Sequence, residues 1–170
     1  KLAEAVCDAC DNVIVVIMCG SSVDLGKKVR NHAKAIIHAW YPGAVGGLAA
    51  AELIAGEFSP AGRLPITIFR GDHNMPEFED YNMKGRTYRY IDGEALFPFG
   101  YGLSFTKFNY NNANIDSVDE NKITLSVDIT NAGDMSGYER AQVYASYTDS
   151  RYATPHYQLC ALKTVEISKG

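Results

Sequence analysis

The stretch "NVIVVIMCG", residues 12–20, is a continuous run of mostly β-branched apolar residues that ends at Gly20. A run without polar alternation is typical of a parallel strand that other elements cover on both faces. The residues before it, 2–10, place apolar side chains at helical spacing, which predicts a helix leading into the strand. Helix and strand together indicate an α/β arrangement for the first part of the chain.

Two further strands and one further helix are predicted downstream of this run. The helix is "GGLAAAELIAG", residues 46–56, because Ala, Leu and Glu favour helices and Gly56 is suited to end one. The strands are expected in "AKAIIHAWYPG", 33–43, and in "GRLPITIF", 62–69. These elements predict a partial α/β sandwich with a mostly parallel sheet over residues 1–70.

The second half of the chain changes its period. "KITLSVDIT", 122–130, strictly alternates apolar and polar side chains, which is typical of a half-buried antiparallel strand. "AQVYASY", 141–147, and "CALKTVEIS", 160–168, predict further strands. Since a sandwich of the fibronectin type usually has about seven strands and about four are predicted, we expect an incomplete antiparallel β-sandwich over residues 105–170. We therefore expect the chain to be a piece of a longer polypeptide.

An aromatic-rich segment, residues 71–104, connects the two parts. "EALFPFGYGLSFTKF", 94–108, interleaves Phe and Tyr with Pro and Gly, which predicts a rigid connection rather than a flexible linker. "FEDYNMKGRTYRY", 78–90, is too polar for a core and too aromatic for a plain loop. The favoured interpretation of this stretch is a seam that locks the sandwich against the α/β part, with Arg86 and Arg89 bound to nearby acids or carbonyls.

Candidate sugar-binding and catalytic residues lie in and around this segment. Glu77, Glu79 and Asp80 could supply the carboxylate pair of a glycosidase, but sequence neighbours on a loop seldom hold the required separation. Solvated or ion-paired acids are the favoured interpretation. Four aromatic residues could stack on sugar rings or fill a domain junction, and their spacing does not separate the two. They are Trp40, Tyr81, Tyr88 and Tyr90.

No metal or cofactor site is predicted. Cys7 and Cys10 form a CxxC without a second one, and the histidines are scattered, which argues against a zinc site. Those histidines are His32, His38, His73 and His156. The cysteines are interpreted as structural thiols, with Cys10 inside and Cys7 beside the apolar helix face, and with Cys19 buried at the end of a strand. That face comprises Leu2, Ala5, Val6, Ala9 and Cys10.

A phosphate loop is also argued against. Gly20 and Gly26 enclose five residues where a P-loop has four, and Lys27 is followed by another lysine rather than Ser or Thr. The formal net charge of −4 gives no indication of a nucleic-acid partner or an anionic membrane surface. The longest apolar run, 13–19, is much shorter than the ~20 residues of a membrane helix. No signal peptide is visible at the start, so any leader is expected upstream.

Three successive blocks resemble glycoside hydrolase family 3. They are "AWYPGAVGGLAAAELIAGEFSPAGRLPITIF" (39–69), "MKGRTYRYIDGEALFPFGYGLSFTKFNY" (83–110) and "DITNAGDMSGYERAQVYASY" (128–147). The first resembles the back half of the family's α/β-sandwich domain, and the second the segment leading out of it. The third resembles the start of its fibronectin type III-like domain. Ala44 and Val45 stand where many relatives carry polar residues, so no substrate contact is inferred there.

The resemblance implies a retaining exo-acting β-glycosidase of plant-polysaccharide breakdown, a β-xylosidase rather than a β-glucosidase given the form of residues 78–90. In such enzymes the Asp nucleophile lies on an N-terminal (β/α)8 barrel, and the Glu acid/base lies upstream of the position of Leu2. The resemblance therefore assigns no catalytic residue to this chain, no substrate-binding residue is identified, and the oligosaccharide would bind through the full-length enzyme. It also implies a periplasmic or secreted location.

Two functions of other classes remain open from the sequence. One is a non-catalytic carbohydrate- or surface-binding module built on the sandwich, which would bind glycans without hydrolysis. The other is a scaffold whose α/β half binds a nucleotide or phosphate, which the spacing of the glycines argues against.

Overall fold

A computed structural model describes residues 1–71, 75–152 and 155–170, and in those ranges the chain forms four helices and six strands. The helices are α1 (Leu2–Ala9), α2 (Gly26–His32), α3 (Gly46–Ala55) and α4 (Thr87–Tyr90). The strands are β1 (Ile14–Ile17), β2 (Ala35–His38), β3 (Phe108–Asp119), β4 (Lys122–Asn131), β5 (Gly137–Ala145) and β6 (Gln158–Ile167). Within the described residues they form three two-stranded sheets, one parallel and two antiparallel.

The parallel pair is the centre of the first part. β1 and β2 run in register from Ile14 opposite Ala35 to Ile17 opposite His38. Helices α1 and α2 pack beside them, and the buried side chains Cys7, Val13 and Val29 form the core between these elements. The strands predicted in 12–20 and 33–43 are therefore confirmed, and the crossover between them contains α2, a helix that the sequence did not predict.

The orientation predicted for α1 is wrong. The predicted apolar face is exposed: Leu2 is 82% exposed, and Cys10 lies beyond the end of the helix and is exposed as well. The helix instead turns Cys7 inward, with Ala3 one turn before it. The reason is that Val13 and Val29 lie on that side, and a small residue in the preceding turn lets the helix approach them. Cys19 is only partly buried, not buried as predicted.

The strand predicted in "GRLPITIF", 62–69, does not form. Helix α3 ends as predicted at Gly56, whose φ of +80° requires glycine. Residues 62–69, however, form no continuous strand, and their β-bridge is the isolated antiparallel one from Ile68 to Phe97. Pro65 and Pro98 each remove a backbone donor from these two segments, which prevents a continuous ladder. The parallel sheet predicted for residues 1–70 is thus limited to β1 and β2 among the described residues.

The second part consists of two antiparallel pairs, β3 with β4 and β5 with β6. All three strands that the sequence predicted here are confirmed, and β3 is the fourth. The half-buried face predicted for β4 is not covered in this structure, since Ile123 is 61% and Leu125 46% exposed. Their cross-strand neighbours Val118 and Ile115 are exposed with them.

The rigid connection predicted for residues 94–108 is confirmed by its backbone contacts. Leu64 N–H donates to the carbonyl of Tyr101 (2.8 Å), and Gly100 N–H donates back to the carbonyl of Leu64 (2.7 Å). A side chain at Gly102 would collide with the carbonyl oxygen of Gly62, so this close approach requires glycine. The connecting segment therefore lies along residues 59–68 and is held in place by these contacts.

Candidate functional site

Tyr88 on α4 joins the connecting segment to the β5–β6 pair. Its ring stacks on Phe99 with centroids 4.2 Å apart, and Tyr157 and Tyr144 lie at 5.5 and 6.1 Å. The Tyr88 hydroxyl accepts a hydrogen bond from the backbone N–H of Leu159 on β6 (3.2 Å). Only 8% of Tyr88 is exposed, so this residue of the 78–90 stretch fills a junction rather than offering a free face to a sugar.

The Tyr88 hydroxyl has a shifted pKa. Burial acts to raise the pKa, but the hydrogen bond from Leu159 N–H and the positive charge of Arg89 outweigh it, and the pKa lies below its usual value. The guanidinium carbon of Arg89 lies 5.9 Å from the centre of the Tyr88 ring, within cation–π range. The carbonyl of Arg89 also accepts a hydrogen bond from His156 N–H (2.8 Å), a second link to the β5–β6 part.

Arg86 holds the preceding loop in shape. Its Nη2 donates to the carbonyls of Glu77 (2.9 Å) and Asp80 (2.7 Å), and its Nε donates to the carbonyl of Asn82 (3.1 Å). The prediction that Arg86 binds nearby acids or carbonyls is confirmed, with carbonyls as the partners. One side chain therefore organises the entire 77–82 turn before the chain enters α4.

The three candidate acids stay on the surface of that turn. Glu77, Glu79 and Asp80 are all exposed. Asp80 accepts hydrogen bonds from the backbone and side-chain N–H groups of Asn82, and these bonds hold its pKa below the usual value against the opposing effect of burial. The nearby charge of Arg86 lowers the pKa further by a smaller amount. Such a turn serves the local backbone and provides no enclosed pocket for a sugar.

The other candidate aromatics do not gather around Tyr88. Tyr81 is 89% exposed at the turn, and Tyr90 is partly buried at the end of α4. Trp40 lies after β2, where its ring contacts His38 with centroids 4.0 Å apart. Its backbone φ of +55° is unusual for a bulky residue. The structure thus brings one of the four aromatic residues, Tyr88, into the junction and leaves Trp40 at the edge of the parallel pair.

A buried ion pair lies on the other side of the connecting segment. Arg63 Nη2 donates to Glu139 Oε2 on β5 (2.7 Å), and the two side chains are only 13% and 11% exposed. Tyr110 on β3 donates its hydroxyl to the other oxygen of Glu139 (2.7 Å). Burial, followed by the hydrogen bond and charge of Glu139, raises the pKa of Tyr110 to about 12. This cluster ties the first part, β3 and β5 together.

A cavity of about 430 Å³ opens beside this cluster. It is lined by the cluster, by residues 98–102 of the connecting segment and by Arg140, Gln142 and Tyr144 of β5. A second cavity of about 330 Å³ lies beside Tyr88 and is lined in part by Thr67, whose buried hydroxyl has no hydrogen-bond partner among the described residues. Both volumes are within the range of small-molecule pockets.

The loop from Gly20 to Gly26, which the sequence predicts to be unsuited to phosphate, makes structural contacts instead. Asp24 lies between Gly20 and Gly26, where it pairs with Arg30 and accepts the N–H groups of Gly26 and Gly71, each at 2.8 Å. Burial acts to raise its pKa, but these backbone hydrogen bonds and the Arg30 charge lower it below the usual value. Asp24 thus fixes α2 and the start of the connecting segment, and Lys27 and Lys28 line neither of the two cavities described above.

The thiols and imidazoles form no common site in the part of the chain that the structure describes. All four cysteines are free, and no group of three or more His, Cys, Asp or Glu side chains among the described residues could hold a metal ion. His32 and His38 contact backbone carbonyls, and His73 lies outside the described residues. No helix in the described ranges is long and apolar enough to cross a membrane.

The family follows from comparison with known proteins. The glycosyl hydrolase family 3 C-terminal domain matches residues 1–105. The chain belongs to glycosyl hydrolase family 3. It is 42% identical over 133 residues to a "Xylan 1,4-beta-xylosidase" of Xylanibacter ruminicola, in an alignment that covers 78% of this chain and 15% of that protein. It is 32% identical to "Thermostable beta-glucosidase B" of Acetivibrio thermocellus, with 100% and 24% covered.

Solved structures of the family match nearly all of the chain. The β-glucosidase DesR from Streptomyces venezuelae, in complex with D-glucose, superimposes with a TM-score of 0.88 at 27% identity and covers 100% of this chain and 24% of its own. The family 3 β-glucosidase of Bifidobacterium adolescentis superimposes with a TM-score of 0.86 at 31% identity, with 99% and 27% covered. This family 3 chain therefore spans about a quarter or less of the relatives that it matches.

Sequence reasoning missed the buried cluster of Arg63, Glu139 and Tyr110. Its members are far apart along the chain and each has a common surface residue type, so no spacing rule connects them. The one available signal was alternation in β5, which places Glu139 on the same face as Gly137 and Ala141 and so predicts burial of that acid. The role of Asp24 is also not visible in the sequence, because its partners Arg30 and Gly71 lie 6 and 47 residues away along the chain.

Proposed function

We propose that this chain is the C-terminal part of a retaining exo-acting β-glycosidase that hydrolyses terminal β-linked sugars of plant-type oligosaccharides. The 42% identity to a xylan 1,4-β-xylosidase supports xylose as the preferred sugar, with glucose second. Residues 1–70 are the back half of the α/β-sandwich domain, 71–104 the connecting segment, and 105–170 the first part of a fibronectin type III-like domain. The location is periplasmic or secreted.

In this proposal the chain itself carries no catalytic residue. Retaining hydrolysis needs two carboxyl groups about 5–5.5 Å apart across the sugar. Glu77, Glu79 and Asp80 are exposed on a turn, and both oxygens of buried Glu139 are already bonded to Arg63 and Tyr110. The nucleophile and the acid/base therefore lie in the missing N-terminal (β/α)8 barrel and the segment upstream of Leu2, and the oligosaccharide binds there.

The role of this chain is then to hold the catalytic domains together. The observation that supports it is the seam itself, in which Tyr88 of the connecting segment is bonded to Leu159 of β6 and Arg63 of the first part is bonded to Glu139 of β5. Such contacts fix the orientation of one part against the other, which is what a C-terminal support for a barrel requires.

Hydrolysis of p-nitrophenyl-β-xyloside and p-nitrophenyl-β-glucoside tests the proposal, measured side by side on this chain and on a longer polypeptide that includes the barrel. We expect activity only in the longer protein, with the xyloside cleaved faster. Activity of the 170-residue chain alone would refute the non-catalytic role, and Glu77→Gln, Glu79→Gln and Asp80→Asn would then identify the acids responsible. Faster cleavage of the glucoside would refute the sugar assignment alone.

A further inference from the structure

The cavity beside β5 carries an unbalanced positive charge. Arg63 and Glu139 line it together, but they are paired with each other at 2.7 Å and neutralise one another. Tyr110 occupies the second oxygen of Glu139, so this carboxylate is fully engaged. Arg140 is the remaining charged side chain among the residues that line the cavity. The cavity thus presents one positive charge without a partner in its wall.

Arg140 also has a side-chain donor without a partner. Its Nε is buried and has no hydrogen-bond partner within the described part of the chain. A buried donor without an acceptor is unfavourable, and native structures usually satisfy it with protein, water or a ligand. The Nε edge of a guanidinium, with the adjacent Nη, forms the planar fork that binds a carboxylate through two parallel hydrogen bonds.

The rest of the wall is suited to a ring with hydroxyl groups. Gln142 donates to the carbonyl of Gly100 (3.2 Å) and accepts from the Tyr144 hydroxyl, so the amide is held in one orientation and keeps a second N–H. Phe99 and Tyr101 add aromatic surface from the connecting segment. A volume of about 430 Å³ is generous for a small inorganic anion and is within the range that holds small organic ligands.

We propose that this cavity binds a uronic acid, a pyranose ring that carries a carboxylate, with Arg140 binding the carboxylate and Gln142 and Tyr144 binding ring hydroxyls. The site lies on the junction between the connecting segment and β5. It is separate from the proposed hydrolysis, so a failure of either proposal leaves the other intact.

Isothermal titration of the 170-residue chain with D-glucuronate, D-glucose and acetate tests this site. We expect saturable binding of D-glucuronate, and binding at least about tenfold weaker for D-glucose, which lacks the carboxylate, and for acetate, which lacks the ring. Arg140→Gln is expected to weaken D-glucuronate binding about tenfold. Arg151→Gln, which removes an exposed arginine outside the cavity, is the matched control and is expected to change nothing.

Circular dichroism of each variant distinguishes loss of binding from loss of folding. If Arg140→Gln does not fold, Arg140→Lys serves instead, because it keeps the charge and lacks the forked donors; it is also expected to bind more weakly. Equal affinity for D-glucose or acetate, absence of saturable D-glucuronate binding, or unchanged affinity in the folded Arg140 variant would each overturn the proposal.

Discussion

Replacement of Tyr88 by alanine tests whether the 78–90 stretch is a structural seam. Tyr88 is 8% exposed, and its ring lies against Phe99, Tyr144 and Tyr157. Truncation of a buried aromatic ring to alanine costs about 3–5 kcal/mol of unfolding free energy, because contacts are lost and a cavity remains. For a chain of this length, each kcal/mol lowers Tm by roughly 2–4 °C, so we expect Tm to fall by at least ~6 °C.

Tyr88→Phe separates the ring from the hydroxyl. Phenylalanine keeps the stacking but leaves the Leu159 N–H without its acceptor, so we expect a loss of about 1 kcal/mol. Tyr81→Ala is the matched control, because Tyr81 is in the same stretch and 89% exposed, and its removal is expected to change stability by no more than about 0.5 kcal/mol.

Thermal unfolding measures Tm and urea unfolding measures the free energy, and both are followed by circular dichroism and by the fluorescence of Trp40, the single tryptophan of the chain. Trp40 lies beside the parallel pair, whereas the circular dichroism signal includes all the strands. Since Tyr88 is proposed to join the two parts, we expect both signals to shift together in Tyr88→Ala. A decrease in stability for Tyr88→Ala no larger than that for Tyr81→Ala would refute the seam. Intact stability of Tyr88→Ala combined with loss of sugar binding would refute it as well.

Three further changes test the other clusters. Glu139→Gln leaves the 13%-exposed Arg63 without its counter-charge and is expected to lower the unfolding free energy in urea by about 3–5 kcal/mol. Replacement of both Arg63 and Glu139 by apolar residues is expected to restore that free energy. Asp24 has a lowered pKa in the folded state, so its ionised form stabilises the fold above the unfolded pKa of 3.8, and this stabilisation is lost as the pH falls through the folded pKa. Asp24→Asn, which unpairs Arg30, is therefore expected to flatten the acid side of the plot of unfolding free energy against pH. Tyr110 has a raised pKa of about 12, so its contribution is full below pH 10 and is lost from pH 10 to 12; Tyr110→Phe is expected to remove that part of the alkaline loss, measured by thermal unfolding across this range.

Local pattern predicted the regular elements that depend on it. The uninterrupted run in β1 and the strict alternation in β4 are direct consequences of side-chain spacing in strands, and both strands formed where expected. Gly56 ended α3 because a left-handed residue is needed there. Pattern failed in "GRLPITIF", where β-branched residues predicted a strand but Pro65 and the opposite Pro98 interrupt the pairing. Strand formation depends on the partner as well as on the strand itself.

Taken by itself, the sequence determined the order of elements, the change of period between the two parts and the rigid aromatic connection, because each of these depends on residues that are neighbours in the chain. Tertiary structure decided which faces are buried and which charges meet. It turned Cys7 rather than Cys10 into the core, and it brought Arg63 to Glu139, which is 76 residues away. Such contacts depend on how separate elements pack, so the spacing of residues along the chain does not predict them.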